Sequence, residues 1–176
     1  MSTPPSFVCR TCGKEHPGLP TDWGFALPDE VFAVGYIEKY GRARHNSDLC
    51  TLDESRFFVR ALLPIPRHAQ DEPFAWGIWT EVSKSDHDQY VAHFNVDASA
   101  LPPFTGRIAN SIPGYVETIG QTVIVQTGRA DKRPLLKCLD DSSHALAVEQ
   151  RQGISVQRHH DLLDACGFFK DTPRAA

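Results

Sequence analysis

A chain of 176 residues with 41% hydrophobic and 23% charged side chains has the make-up of one globular domain, and a domain of that length buries about 70% of its unfolded surface. A formal charge of −4 and an isoelectric point near 6.0 argue against the basic face that duplex nucleic acid demands. No run reaches 18 consecutive apolar residues and the start, MSTPPSFVCR, has no apolar signal region, so a soluble, cytoplasmic protein with no membrane or nucleic-acid partner is expected.

FVCRTCGKEH places Cys9, Cys12, Gly13 and His16 within ten residues. Two residues between the cysteines let one tight turn aim both sulfurs at a common centre, and Gly13 is free to take a positive φ behind them. A closed structural zinc site needs four ligands. Cys50 is expected as the third, with His16 as the fourth ahead of Asp48 and His45. Closing the loop from Cys12 to Cys50 costs on the order of 3 kcal/mol beyond a constant, against roughly 10 to 16 kcal/mol from zinc binding. The expected result is a zinc-knuckle-like clip over 7–53. A redox dithiol fits less well, because GKEHPGLP after Cys12 does not start a helix promptly. The other two of the five cysteines, Cys138 and Cys166, sit in apolar runs and read as packing residues.

HPGLPTDWGFALP reads as a loop by its Pro and Gly content. Pro28, Asp29 and Glu30 suit the first turn of a helix over 29–40. Phe32, Tyr36 and Tyr40 recur at helical spacing as its inward face, with Gly41 as its end. The period then changes to two. FFVRALLPI alternates Phe57, Val59, Ala61, Leu63 and Ile65 on a core face and is stopped by Pro64 and Pro66. FAWGIWTEVS repeats the pattern, and the short PRHAQDEP makes the two an antiparallel pair.

Ser85 and Asp88 resemble a capping box for a helix carrying Tyr90, Val91 and Phe94. DASALPPFTGRIANSIPGY is rich in turn formers and is expected to cross the surface. TIGQTVIVQTG and RPLLKCL are two more strands joined around 128–132. Helices over 144–152 and 156–166 follow, the first stopped by Gly153, the second capped by Ser155 and Gly167. This is an α+β fold with a largely antiparallel sheet and flanking helices, a single domain over 1–176 with its core at 54–168 and a disordered tail at 169–176.

No HExxH, GxSxG, Walker loop or GxGxxG is present, which points away from familiar enzyme classes, and no catalytic residue is assigned. His87 and His93 do not share a helix face, whereas His159 and Cys166, seven apart, do, which would allow a Cys/His pair. Arg42, Arg44 and His45 form a local basic cluster, and His144, Glu149, Gln150 and Arg151 read as a solvated helix face.

Taken together, FVCRTCGKEH, the D-x-C of Asp48 and Cys50, FFVR, FAWGIWTEVS, RPLL and HALAVEQRQGI resemble the bacterial family called domain of unknown function 2199 (DUF2199), from about Phe7 to Phe168. The resemblance carries no activity. It implies that the CxxCGxxH start, Asp48, Cys50, Trp76, Gly77, Trp79, Arg133, Pro134, His144 and the EQRQGI segment belong to one shared framework, and it raises Asp48 as a rival ligand to His16. Ser143 and Ala145 stand where the family pattern has Asp and Pro beside that histidine. The expectation is a zinc-stabilised, non-catalytic module for a protein partner or small ligand. The alternatives are a metal-dependent hydrolase with an open zinc position and a thiol redox protein.

Overall fold

The structure is a computed structural model and describes residues 6–8, 13–68 and 70–169. In chain order the elements are β1 (Ser6–Val8), β2 (Glu15–Pro17), β3 (Asp22–Gly24), α1 (Asp29–Ala33), α2 (Tyr36–Arg42), β4 (Ala43–His45) and β5 (Leu49–Leu52). They continue with β6 (Arg56–Ile65), β7 (Phe74–Val82), α3 (Lys84–Ala92), β8 (Phe104–Ile108), β9 (Thr122–Gln126), β10 (Leu135–Cys138), α4 (Ala145–Gln152) and α5 (Val156–Ala165). The fold is α+β. No described helix is long and apolar enough to cross a membrane.

Strands β6 to β10 form an antiparallel meander that closes on itself as a barrel. Five alternating strands leave the first and last pointing the same way, so the closing pair, β10 on β6, has to be parallel, and Leu135 pairs with Leu62 there. The alternation read for β6 and β7 holds. Val59, Ala61, Leu63 and Ile65 face Phe74, Trp76 and Ile78 in the interior, all fully buried, while Phe57 is only half-buried. Leu146, Ala147, Leu162 and Leu163 bring α4 and α5 onto the same core.

Pro64 does not stop β6. It pairs with Ala75 inside the strand. Arg60 and Leu62 direct their N–H groups away from β7, to Asp48 and Pro134 carbonyls at 2.8 and 2.9 Å, so Pro64, next in that alternation, lacks a donor only on that side. A lost ladder bond is worth about 1 kcal/mol and a buried Leu or Ile about 1.5 to 3, so Leu63 and Ile65 carry the strand through.

Beyond the barrel, β3 joins β7 in parallel, and β5 and β4 extend the sheet from β6. The sheet therefore draws strands from both sides of residue 53. β1 and β2 pair separately, Phe7 opposite His16.

Several sequence expectations need correction. The helix over 29–40 is two short helices, because Val34 and Gly35 take extended ψ values of 132° and 149°. The break abolishes the shared face: Phe32, Tyr36 and Tyr40 are 69, 90 and 93% exposed, and Val31 is the residue that goes inside. Asp29 braces the fold rather than only facing a dipole, accepting hydrogen bonds from Asn110 Nδ2 and Ser111 N at 2.8 Å. The loop before it contains β3, and the segment read as crossing the surface contains the barrel strand β8. Gly106 on β8 leaves room for Thr80, whose methyl would stand 2.4 Å from an added Cβ.

The cap of α3 is Ser83, accepting from Asp86 N at 3.1 Å, in place of Ser85 and Asp88. Ser155 caps α5 as expected, and Gly167 follows it at φ 83°. Phe169, expected as the first residue of a disordered tail, stacks on His160 with centroids 4.3 Å apart and packs on the core. The rest of that tail lies outside the described residues.

Candidate functional site

The outer face of the long β6–β7 pair is built from Phe58, Arg60 and Leu62, whose register partners are Glu81, Trp79 and Gly77. Near one end this face is apolar and covered: Phe58, Trp79, Cys50, Leu52 and Val31 form a second buried cluster. Arg60 stands where the cover stops. On β6 the neighbouring strand changes between Val59, which pairs with β5, and Leu62, which pairs with β10. On β7 it changes between Gly77, beside β3, and Thr80, beside β8. The forks leave a cleft of about 460 Å3 lined by Arg60, Arg133, Gly24 and Gly77, with Asp22 and Glu72 also on its wall.

Two strand glycines seat Arg60. Gly24 and Gly77 are register partners, and a Cβ added to Gly24 would lie 2.6 Å from Arg60 Nη2. Neither glycine needs a positive φ. What they supply is close approach.

Arg133 reaches the same cleft from the segment before β10 and donates Nε to Asp48 Oδ1 at 2.7 Å. Burial works against the Asp48 anion, but hydrogen bonds from Ser47, at 2.5 Å, and Arg133 hold its carboxyl below the usual range. Arg60 is pulled below its ordinary value, first by burial and then by the like charge of Arg133, with Asp48 offsetting only part. Its Nε is buried without an acceptor, and no described residue accepts a hydrogen bond from its side chain. Two guanidinium groups thus share one engaged carboxylate, and an arginine stays charged throughout the working pH range. The guanidinium end of the cleft therefore carries one more positive charge than the carboxylate it holds, while Asp22 and Glu72 stand unpaired, among the described residues, on the rest of the wall.

A larger cleft, about 650 Å3, is lined by Pro64, Leu135, Cys138, Gln150, Arg67 and Arg151 among others. Most of the polar groups on its strand and helix walls are already engaged. Gln150 accepts from Cys138 N at 2.7 Å and donates to Leu136 O and Pro64 O at 2.9 and 3.2 Å. Arg151 donates to Leu139 O and Ser142 O, and Arg67 to Glu72 O. Glu149 accepts from Arg158 Nε at 2.8 Å and from the Tyr115 hydroxyl. The late helix read as a solvated face is therefore a set of clamps from α4 onto β6, β10 and α5.

His144 is the N-cap of α4. Its Nδ1 accepts from Leu146 N at 3.2 Å, so Nε2 carries the proton donated to Val116 O at 2.7 Å.

Of the expected zinc ligands, Cys9 and Cys12 lie outside the described residues, and His16 is described only through its backbone pairing. Gly13 has φ 68°, the conformation expected behind a CxxC pair. Cys50 is 1% exposed, and burial among apolar neighbours pushes its thiol up to about 11. Among the described residues no three His, Cys, Asp or Glu side chains converge as metal ligands. His45 pairs with Cys50 across β4 and β5. Both border a pocket of about 370 Å3 with His87, whose two ring nitrogens are buried without hydrogen-bond partners.

His159 and Cys166 do not form an activated pair. His159 packs on Phe74 with centroids 4.7 Å apart, burial holds its pKa down to about 4, and the Cys166 thiol is raised to about 11. In the basic cluster, Arg42 is engaged by Asp53 through two hydrogen bonds of 2.8 and 2.7 Å.

Arg60 was missed as a site residue because a cation on the outer face of a strand reads as solvent-facing. The signal available was that FFVR, Asp48, Gly77 and Arg133 all belong to the motif set, and the fold gathers them here.

Comparison with curated proteins gives no match, and neither does comparison with solved structures. A family model described as "Uncharacterized protein conserved in bacteria (DUF2199)" matches residues 8–154, and with most of its length and its cleft-forming motifs inside that span, the chain belongs to the DUF2199 family.

Proposed function

We propose that this protein is a non-catalytic binding module that holds a small anion in the Arg60–Arg133 cleft. The observation carrying the reading is Arg60 itself, a partly buried guanidinium with no acceptor among the described residues, beside a second guanidinium whose Nε alone is engaged. A buried cation without a partner is costly, and a bound carboxylate or phosphate would supply the missing charge and acceptors. The described thiols are poorly suited to act as nucleophiles. Burial raises the thiols of Cys50, Cys138 and Cys166 to about 11 each, so they are protonated at neutral pH.

The same proposal includes a structural zinc at the N-terminal hairpin, with Cys9, Cys12 and His16 as ligands and Cys50 as the fourth. The positive φ of Gly13 fits such a knuckle. The apolar surroundings of Cys50 fit a packing role as well as a ligand role, and metal counting separates the two. Bound zinc would supply only a crosslink between the hairpin and β5.

Isothermal titration with acetate, benzoate, inorganic phosphate and sulfate tests the cleft. At least one is expected to bind, with affinity reduced tenfold or more in Arg60→Gln and in Arg133→Gln. An anion that binds both variants as tightly as the parent would place the site elsewhere.

A further inference from the structure

The cleft holds cations and carboxylates that do not neutralise one another. Asp22 and Glu72 line it with Arg60 and Arg133, yet neither acid forms an ion pair or side-chain hydrogen bond with any described residue. Asp48, the acid that does pair, is on Arg133. Opposite charges in one small cleft ordinarily collapse onto each other unless the backbone keeps them apart, and here β3 does so. Asp22 and Gly24 lie two residues apart and on the same face of the strand, so their positions differ by about 7 Å along it. The Arg60 head group rests over Gly24. A direct ion pair needs roughly 4 Å or less. No ion pair forms between Asp22 and Arg60, so their charged ends stand farther apart than that, and the offset along the strand suits one small group accepting at one end and donating at the other, each through a hydrogen bond of about 2.8 Å.

We infer that the ligand is an α-amino acid, its carboxylate on the Arg60 and Arg133 guanidinium groups and its ammonium toward Asp22, with Glu72 on the same wall. The inference rests on the anion-binding reading of this cleft and narrows it. Charge supports the narrowing. Arg60, Arg133 and the paired Asp48 sum to one positive charge, which a single carboxylate balances, whereas a polyphosphate would set excess negative charge beside Asp22 and Glu72. A cleft of about 460 Å3 also lies within the range of small-molecule sites, roughly 300 to 1,000 Å3.

The full chain is titrated with each of the twenty protein L-amino acids, and for any that binds, with its N-acetyl form, its amide and 4-aminobutyrate. At least one amino acid is expected to bind tenfold or more tightly than its N-acetyl form, its amide and 4-aminobutyrate. Asp22→Asn, an exposed change that leaves the fold intact by circular dichroism, is expected to bring the amino acid down to the level of the N-acetyl form, and Arg60→Gln to remove both. Equal binding of the amino acid and its N-acetyl form, with no response to Asp22→Asn, would overturn the amino-acid assignment and leave the anion reading standing. The same holds if acetate or phosphate binds through Arg60 and no amino acid does. Tighter binding of 4-aminobutyrate would overturn the α spacing. Binding of the amide alone, or of no anion at all, would take down both.

Discussion

A methyl carbon at Gly24 would stand 2.6 Å from Nη2 of Arg60, closer than any relaxed contact, while the nearest backbone atom, Gly77 O, would be at 3.6 Å. The clash is thus with the far end of a flexible side chain. Gly24→Ala is expected to fold with a loss of about 1 kcal/mol or less, yet to push the guanidinium off its seat and weaken anion binding tenfold or more. Chemical denaturation and titration on the same sample check this. A variant that binds as well as the parent would show that the position of Arg60 is irrelevant to the ligand.

The Gln150 side chain ties three backbone groups on two strands to α4. Gln150→Ala leaves those groups without their partner, and each buried group left unsatisfied costs about 1 to 3 kcal/mol. An overall loss of about 2 to 4 kcal/mol is expected in urea unfolding, against less than about 0.5 for the exposed Gln152→Ala. Equal effects would mean that the clamp is replaced by water.

Acid should destabilise the protein through His159. Its pKa is held down to about 4 from 6.5, chiefly by burial and then by Arg67, with a hydrogen bond to the Pro20 backbone opposing. A depressed folded-state value means that the unfolded chain takes up the proton first, so this contribution is present above pH 6.5 and is lost as pH falls toward 4. The shift corresponds to about 3 kcal/mol. Burial shifts His87 in the same direction. His159→Phe, which keeps a ring against Phe74, is expected to flatten the stability profile between pH 6.5 and 4. A profile unchanged by the substitution would assign the acid sensitivity to other groups.

Elemental analysis of protein prepared without chelators is expected to give about one zinc per chain. Cys12→Ser should lower that count. If Cys50 is the fourth ligand, Cys50→Ser lowers it too; if Cys50 serves only to pack against Phe58 and Trp79, that variant loses stability with its metal retained. A count of zero in the parent would end the zinc proposal.

What the sequence makes legible tracks how much each element owes to itself. β6 and β7 carry alternating sequence patterns ten and nine residues long, and α5 carries both of its end signals, so they are readable without knowing their neighbours. β3, β4, β5 and β8 are three to five residues long and exist because the edges of longer strands accept them, a tertiary cause that no local pattern states. Glu149 and Gln150 mislead for the opposite reason: their polarity suggests water, and their partners turn out to be backbone and side-chain groups of other elements. The cleft was the least legible part. Its residues come from four separate stretches of chain, and Arg60 acquires meaning only where two strand neighbours part.

Because Leu135 and Leu62 join the last strand to the first, the cylinder has no closed form until translation has passed residue 138. Until then the nascent β6 and β9 each carry an unpaired margin, the kind of surface on which neighbouring chains stack. A premature stop upstream of Leu135 should therefore yield insoluble material rather than a smaller working protein, whereas α4, arriving only a few residues later, fastens the newly joined ends at once.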